Sequence, residues 1–89
     1  MPTRTTAVAS AIGLHARPAS VLTAAVNDSG LEVTLALDGG EPVDAGSILA
    51  VMTLGAKHGD PVTLSADGDG ADAVLDRLVV LLGSDLDVE

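Results

Sequence analysis

The stretch Gly13-Leu14-His15-Ala16-Arg17-Pro18-Ala19-Ser20 predicts where the first helix of this chain begins. Pro18 has a fixed φ and no N–H group, so it is tolerated in the first turn of a helix and not deeper. His15 is therefore expected at or next to the N-cap, after a sharp turn that Gly13 permits. The apolar residues that follow are spaced as one helical face: Ala19, Leu22 and Val26, with Val21 and Ala25.

A helix N-terminus is suited to binding an anion, because its first N–H groups lack partners within the helix and carry a partial positive charge. The N–H groups of Ala16 and Arg17 could hold phosphate oxygens, and the Arg17 guanidinium could add a charge-assisted hydrogen bond. A neutral imidazole such as that of His15 is also a nucleophile. The pattern indicates a histidine that accepts a phosphoryl group; the alternative is a polar N-cap without chemistry.

Two motifs in register resemble the HPr family, the histidine-containing phosphocarriers of the bacterial sugar phosphotransferase system. The first is Gly-Leu-His-Ala-Arg-Pro-Ala at residues 13–19, which is similar to the active-site signature of that family. The second is Gly46-Ser47-Ile48-Leu49-Ala50-Val51-Met52-Thr53-Leu54-Gly55-Ala56-Lys57. The motifs lie at the family's usual distance from each other, and the resemblance extends over the whole chain.

The resemblance implies a carrier and not a turnover enzyme. His15 would take a phosphoryl group on Nδ1 from enzyme I, itself charged by phosphoenolpyruvate, and pass it to the IIA domains of sugar permeases. Arg17 and the N–H group of Ala16 would steady the phosphoryl group. Partner proteins would bind Ser20 and the outward side chains of the second motif, which the resemblance gives as Ile48, Leu49 and Met52.

Two alternatives to the sugar carrier are retained. The first is a member of the same family that serves a regulatory, nitrogen-related phosphorelay. The second is a ferredoxin-like binding domain in which His15 is only a helix cap. Phosphorylation by enzyme I would distinguish both carriers from the binding domain, and sugar uptake would distinguish the two carriers.

Length and composition limit the fold and the chemistry. Eighty-nine residues make one small domain, expected to span residues 1–89 as a monomer. The chain has no Phe, Tyr, Trp or Cys, so its core must consist of aliphatic residues and Met, without disulfides or thiolate metal ligands. We expect no cofactor and no metal. The N-terminus lacks the apolar run of a signal peptide, and no run is long enough to span a membrane, so a cytoplasmic protein is expected.

The net charge of −9, with 13 acidic and 4 basic residues, makes nucleic acid an improbable partner, because phosphate neutralisation needs a basic face. A protein partner with a basic surface is one interpretation of this charge. The other is that excess acid only keeps a small protein in solution.

The order of apolar patterns and turns predicts a β-α-β-β-α-β-α chain. This order favours an α+β fold, a two-layer open-faced β-sandwich with the helices on one face of the sheet. The resemblance adds that the four strands are antiparallel. The expected strands are 3–8, 31–37, 41–44 and 62–66, with 41–44 at a sheet edge because of Pro42. The expected helices are 16–26, 48–54 and 70–82, the last capped by Asp69 and followed by an acidic tail, 84–89.

The second motif carries two further predictions. Ser47 precedes an apolar helix that Gly55 ends, so it is expected to be the N-cap. In HPr of many low-GC Gram-positive bacteria the matching serine is a regulatory phosphorylation site, although those proteins often have lysine where this chain has Gly46. The helix from Ile48 to Leu54 is apolar nearly all round, so part of it must face solvent and could bind partners.

Three other patterns do not support a site. Residues 68–73 fit G-x-G-x-x-A, but no parallel strand can follow the next helix, and nearby aspartates would repel a pyrophosphate. The same stretch departs from a calcium loop at its fifth, sixth and twelfth positions. His58 and His15 are too few ligands for zinc, and His58 is expected to be solvated in a polar turn.

Overall fold

The computed structural model describes residues 2–9, 13 and 16–83. The described residues form four strands and three helices. The strands are β1 (Thr3–Ala7), β2 (Val33–Leu37), β3 (Val43–Asp44) and β4 (Pro61–Ala66), and the helices are α1 (Ala16–Ser29), α2 (Ile48–Leu54) and α3 (Ala71–Leu82). The predicted element order is therefore confirmed.

The strands make one antiparallel sheet in the order β1-β4-β2-β3. In β4 the side chains of Val62, Leu64 and Ala66 are buried, whereas Pro61, Thr63 and Ser65 are not. This alternation is typical of a sheet with one covered and one open face. The two-layer open-faced sandwich is confirmed, and β3 lies at an edge, as Pro42 predicted.

The helices bury their apolar faces against the sheet and one another: α3 packs on β1 and β4, and α1 packs on α2 and α3. The core is aliphatic, as the composition required. Its largest fully buried side chains are Leu22, Leu35, Leu64, Leu75, Leu78, Leu82, Val8, Val26, Val33, Val51, Val62 and Pro18. None of the helices within the described residues is both long and apolar enough to cross a membrane.

Three predicted boundaries are wrong by two or three residues. Strand β3 begins at Val43 and not at residue 41. The other two, the end of α1 and the start of β2, share a reason. Helix α1 continues to Ser29, three residues beyond the predicted end, and β2 begins at Val33, two residues later than predicted. The Ser29 hydroxyl donates to the Val26 carbonyl and accepts from the Leu31 N–H group. The Leu31 N–H group is therefore used at the end of α1 and not in the sheet. Gly30, with φ +75°, reverses the chain before β2 begins to pair with β4.

The predicted Asp69 cap of α3 is also wrong. The N-cap is Gly70, in the left-handed region with φ +81°, and it makes no side-chain capping bond. The Ala71 N–H group donates to the Gly68 carbonyl, and the Val74 N–H group donates to the Gly70 carbonyl. At the start of α3, backbone carbonyls thus accept N–H groups that were expected to bond to the Asp69 carboxylate.

Arg4 ties β1 to α3 through two carboxylates on successive turns of that helix. Its guanidinium donates to Asp72 Oδ1 at 2.9 Å and to Asp76 Oδ1 at 3.0 Å. These hydrogen bonds, with Asp72 first, raise the pKa of Arg4 above its ordinary value. One of the four basic residues is therefore neutralised by the protein's own acids.

Candidate functional site

The start of α1 is arranged as the sequence predicted. Ala16 and Arg17 are its first two residues and both are exposed, whereas Pro18 is buried beneath them. The first N–H groups of a helix have no carbonyl of that helix to bind, so this end presents donors to an anion. His15 and Leu14 lie outside the described residues, and the role of His15 stays a prediction.

Gly13 fits a position where only glycine can stand. It is buried with φ +84°. A Cβ atom there would lie 2.5 Å from the Ala56 carbonyl oxygen and 2.8 Å from the Lys57 Cα atom. Both atoms are backbone and cannot rotate away. The backbone of Gly13 therefore has the left-handed conformation that glycine permits, and it rests directly on the segment that follows α2.

That segment is a closed turn, residues 56–60, which we call the 56–60 turn. The Asp60 N–H group donates to the Lys57 carbonyl at 3.0 Å, and the Lys57 N–H group donates to Asp60 Oδ2 at 2.9 Å. The turn is also bonded to the end of β1: Val8 N–H donates to the Asp60 carbonyl, and Gly59 N–H donates to the Val8 carbonyl. The 56–60 turn therefore contacts two segments of the chain. It is hydrogen-bonded to Val8, and it packs against Gly13.

Helix α2 has the bounds and caps that the sequence predicted. Ser47 Oγ accepts from the Ala50 N–H group at 3.2 Å, and Gly55, with φ +73°, donates its N–H to the Met52 carbonyl. A serine cap of this kind contributes about 1 kcal/mol to stability. Because the hydroxyl is engaged in the fold, Ser47 has a sufficient structural role, and its phosphorylation stays a prediction.

One side of α2 is an exposed apolar surface, which we call the α2 patch: Ile48, Leu49 and Met52. Leu49 is 77% exposed, Ile48 43% and Met52 40%, whereas Val51 on the opposite side is fully buried. The prediction that Ile48, Leu49 and Met52 face solvent is confirmed. Exposed apolar surface of this kind is typical of sites that bind other proteins.

Helix α1 adds an exposed stripe, and one residue of this stripe is predicted from the sequence to be buried. Arg17, Ser20, Val21 and Ala24 are all exposed. The apolar spacing predicts Val21 on the buried face, but Val21 is 38% exposed, so this prediction is wrong. The signal that could have placed it is its spacing, because Val21 lies four residues after Arg17 and next to Ser20, on the polar side of a 3.6-residue period.

The remaining candidate features add no second site among the described residues. His58 is exposed in the 56–60 turn. No three His, Cys, Asp or Glu side chains of the described residues are grouped so that they could hold a metal. A shallow depression is lined by residues of β2 and β3 and their approaches, none of them a predicted site residue.

Comparison with known proteins gives a consistent result. A family model described as the PTS HPr component phosphorylation site matches residues 2–84. The phosphocarrier protein HPr of Streptomyces coelicolor is 47% identical over 75 residues, which cover 84% of this chain and 81% of that protein. HPr of Haloferax volcanii is 43% identical over 82 residues, 91% of this chain and 92% of the other. Among solved structures, an HPr of Thermoanaerobacter tengcongensis superimposes with a TM-score of 0.89 at 32% identity, covering 100% of this chain and 99% of that one.

Proposed function

Because this chain belongs to the HPr family of phosphocarriers, we propose that it carries a phosphoryl group on His15 Nδ1 between cytoplasmic partners. The donor is enzyme I, charged by phosphoenolpyruvate, and the acceptors are IIA domains of sugar permeases. The observation that carries the proposal is the Gly13–Ala19 signature, with its glycine fitted against the 56–60 turn and its arginine at the start of α1.

Transfer exchanges one P–N bond for another. The Nδ1 lone pair of neutral His15 forms the new bond, and the electron pair of the old bond returns to the ring nitrogen of the donor histidine. Such a transfer requires in-line positioning and neutralisation of charge more than proton transfer. The N–H groups at the start of α1 supply donors to the phosphoryl oxygens, and Arg17 supplies a positive charge. The protein ends each cycle with the phosphoryl group gone, so it acts as a carrier.

The proposal is tested by incubating the intact protein with phosphoenolpyruvate and enzyme I and measuring its mass. We expect a gain of one phosphoryl group that is absent when enzyme I is omitted. No gain of mass in the complete mixture would contradict the proposal. The ferredoxin-like binding domain would then be the remaining interpretation. If the gain occurs, loss of sugar uptake on deletion of this protein from its host separates the sugar carrier from a regulatory phosphorelay.

Arg17 is expected to speed transfer without supporting the fold. Arg17→Ala should slow phosphorylation about tenfold or more, because an anion loses a charge-assisted contact, while the melting temperature stays unchanged at this exposed position. Arg17→Lys should restore part of the rate, since lysine keeps the charge but lacks the planar fork. Single-turnover transfer from phosphorylated enzyme I measures both. An Arg17→Ala protein with the wild-type rate would leave the backbone N–H groups as the sole phosphate contacts.

The α2 patch is proposed as the surface that binds both donor and acceptor in turn. Met52 is a flexible side chain that can adapt to more than one partner, and the contact is expected to be small and short-lived. Ser20, exposed on α1, is proposed to lie at the margin of the same surface.

Leu49→Glu is expected to weaken binding to enzyme I and to IIA domains about tenfold, because it places a charge where an apolar side chain is buried by the partner. The melting temperature should hardly change, since Leu49 is 77% exposed. Val80→Glu on α3 is the matched control, because Val80 is 67% exposed and lies on a different helix. Titration calorimetry with each partner measures the affinities. Equal affinities of the two variants would exclude the α2 patch from partner binding.

A further inference from the structure

The α2 patch contains a thioether, the side chain of Met52. Residues three and four apart on a helix share one face, so Met52 lies beside Leu49 and Ile48. All three side chains are exposed. The other side of α2 is occupied by Val51, which is fully buried, and by Leu54, which packs against the core. The sulfur of Met52 therefore belongs to the outer, apolar side of the helix and not to the core.

The composition of the chain leaves few other side chains for an oxidant to attack. Thiols and thioethers are the side chains that climb the oxidation ladder of sulfur. The chain has no Cys and two methionines, and it also has no Trp or Tyr. Met1 lies outside the described residues. Among the described residues, Met52 is thus the single sulfur-containing side chain, and it lies in the patch proposed to bind partners.

Oxidation by a peroxide would change this surface without breaking a bond of the fold. The sulfur lone pair of Met52 forms a bond to one peroxide oxygen, the O–O bond breaks, and the second oxygen leaves as water with both hydrogens. The sulfur is oxidised and the peroxide is reduced. The product is methionine sulfoxide, which is polar where the thioether was apolar. The Met52 carbonyl accepts the Gly55 N–H group at 3.2 Å, and this bond at the end of α2 does not involve the sulfur.

We propose that Met52 is a reversible oxidation switch, whose sulfoxide weakens the binding of partner proteins to the α2 patch. The inference rests on the proposed function and adds regulation to the same surface. A partner that covers the patch would strip water from the polar sulfoxide oxygen among apolar side chains, and such burial is unfavourable without a hydrogen bond. A methionine sulfoxide reductase, which consumes a dithiol and releases water, restores the thioether.

The test is to treat the intact protein with hydrogen peroxide, remove the peroxide, and measure binding to enzyme I by titration calorimetry. Peptide mapping by mass should find one added oxygen on Met52. The oxidised protein should bind about fivefold to tenfold more weakly than the untreated protein, the cost of burying one poorly paired polar group. Treatment with the reductase should restore the affinity. The melting temperature should hardly change, since the side chain is exposed.

Met52→Leu is the matched control, because it removes the sulfur, keeps an apolar side chain of similar volume and retains Met1. The affinity of this variant should be the same before and after peroxide treatment. The inference is wrong if Met52 resists the peroxide, if its sulfoxide leaves the affinity unchanged, or if Met52→Leu loses affinity to the same extent. Untreated wild-type protein that fails to bind enzyme I would instead overturn the proposed function, so the two failures are distinguishable.

Discussion

His15→Ala is expected to abolish phosphorylation by enzyme I completely, because the substitution removes the nitrogen that forms the P–N bond. Wild-type protein should gain one phosphoryl group in a form that is labile to acid and stable to alkali, as expected of a phosphoramidate. Intact mass before and after brief acid treatment measures both properties.

His58→Ala is the matched control, since it removes the other histidine of the chain, from an exposed position in the 56–60 turn. It should be phosphorylated like the wild type. Labelling that persists in His15→Ala would assign the phosphoryl group to another residue, and loss of labelling only in His58→Ala would move the acceptor to the turn.

Gly13→Ala is expected to destabilise the protein by about 3 kcal/mol. A left-handed backbone costs a residue with a Cβ atom about 1–2 kcal/mol, and overpacking of a filled position costs about 1–3 kcal/mol. Both terms apply, because φ is +84° and the added carbon would lie 2.5 Å from the Ala56 carbonyl oxygen. In a domain of this size the melting temperature should fall by more than about 10 °C. Thermal and urea unfolding followed by circular dichroism measure the loss.

Gly39→Ala separates the two terms. Gly39 also has a positive φ, +76°, but nothing lies within 4 Å of its Cβ position. Its substitution should cost about 1–2 kcal/mol, the strain alone. If the two variants lose equal stability, the close packing of Gly13 on the 56–60 turn does not contribute. Partial unfolding of Gly13→Ala should also slow phosphorylation, and lowering the temperature should recover part of that rate.

Local sequence signals were sufficient for α2 and for the order of the elements. A serine cap and a left-handed glycine lie directly at the ends of α2, so both boundaries follow from neighbouring residues. The end of α1 and the start of β2 depended instead on tertiary structure. The Leu31 N–H group donates to the Ser29 hydroxyl, and the pairing of β2 with β4 begins only at Val33. Several polar residues near Asn27 could have ended the helix, and only the packed structure selects Gly30 as the residue that reverses the chain.

The sequence by itself determined the family, the α+β order and the aliphatic core, because these are carried by residue types and short-range spacing. The same signals predict His15 as the phosphoryl acceptor. The tertiary structure decided which apolar side chains face solvent, since α2 lies on other elements along one side and buries Val51 but not Leu49. It also decided the contacts between Gly13 and Lys57, more than forty residues apart in the chain. No periodicity encodes a contact at that separation. It arises because β1 pairs with β4 in the sheet and the 56–60 turn joins β4 to α2.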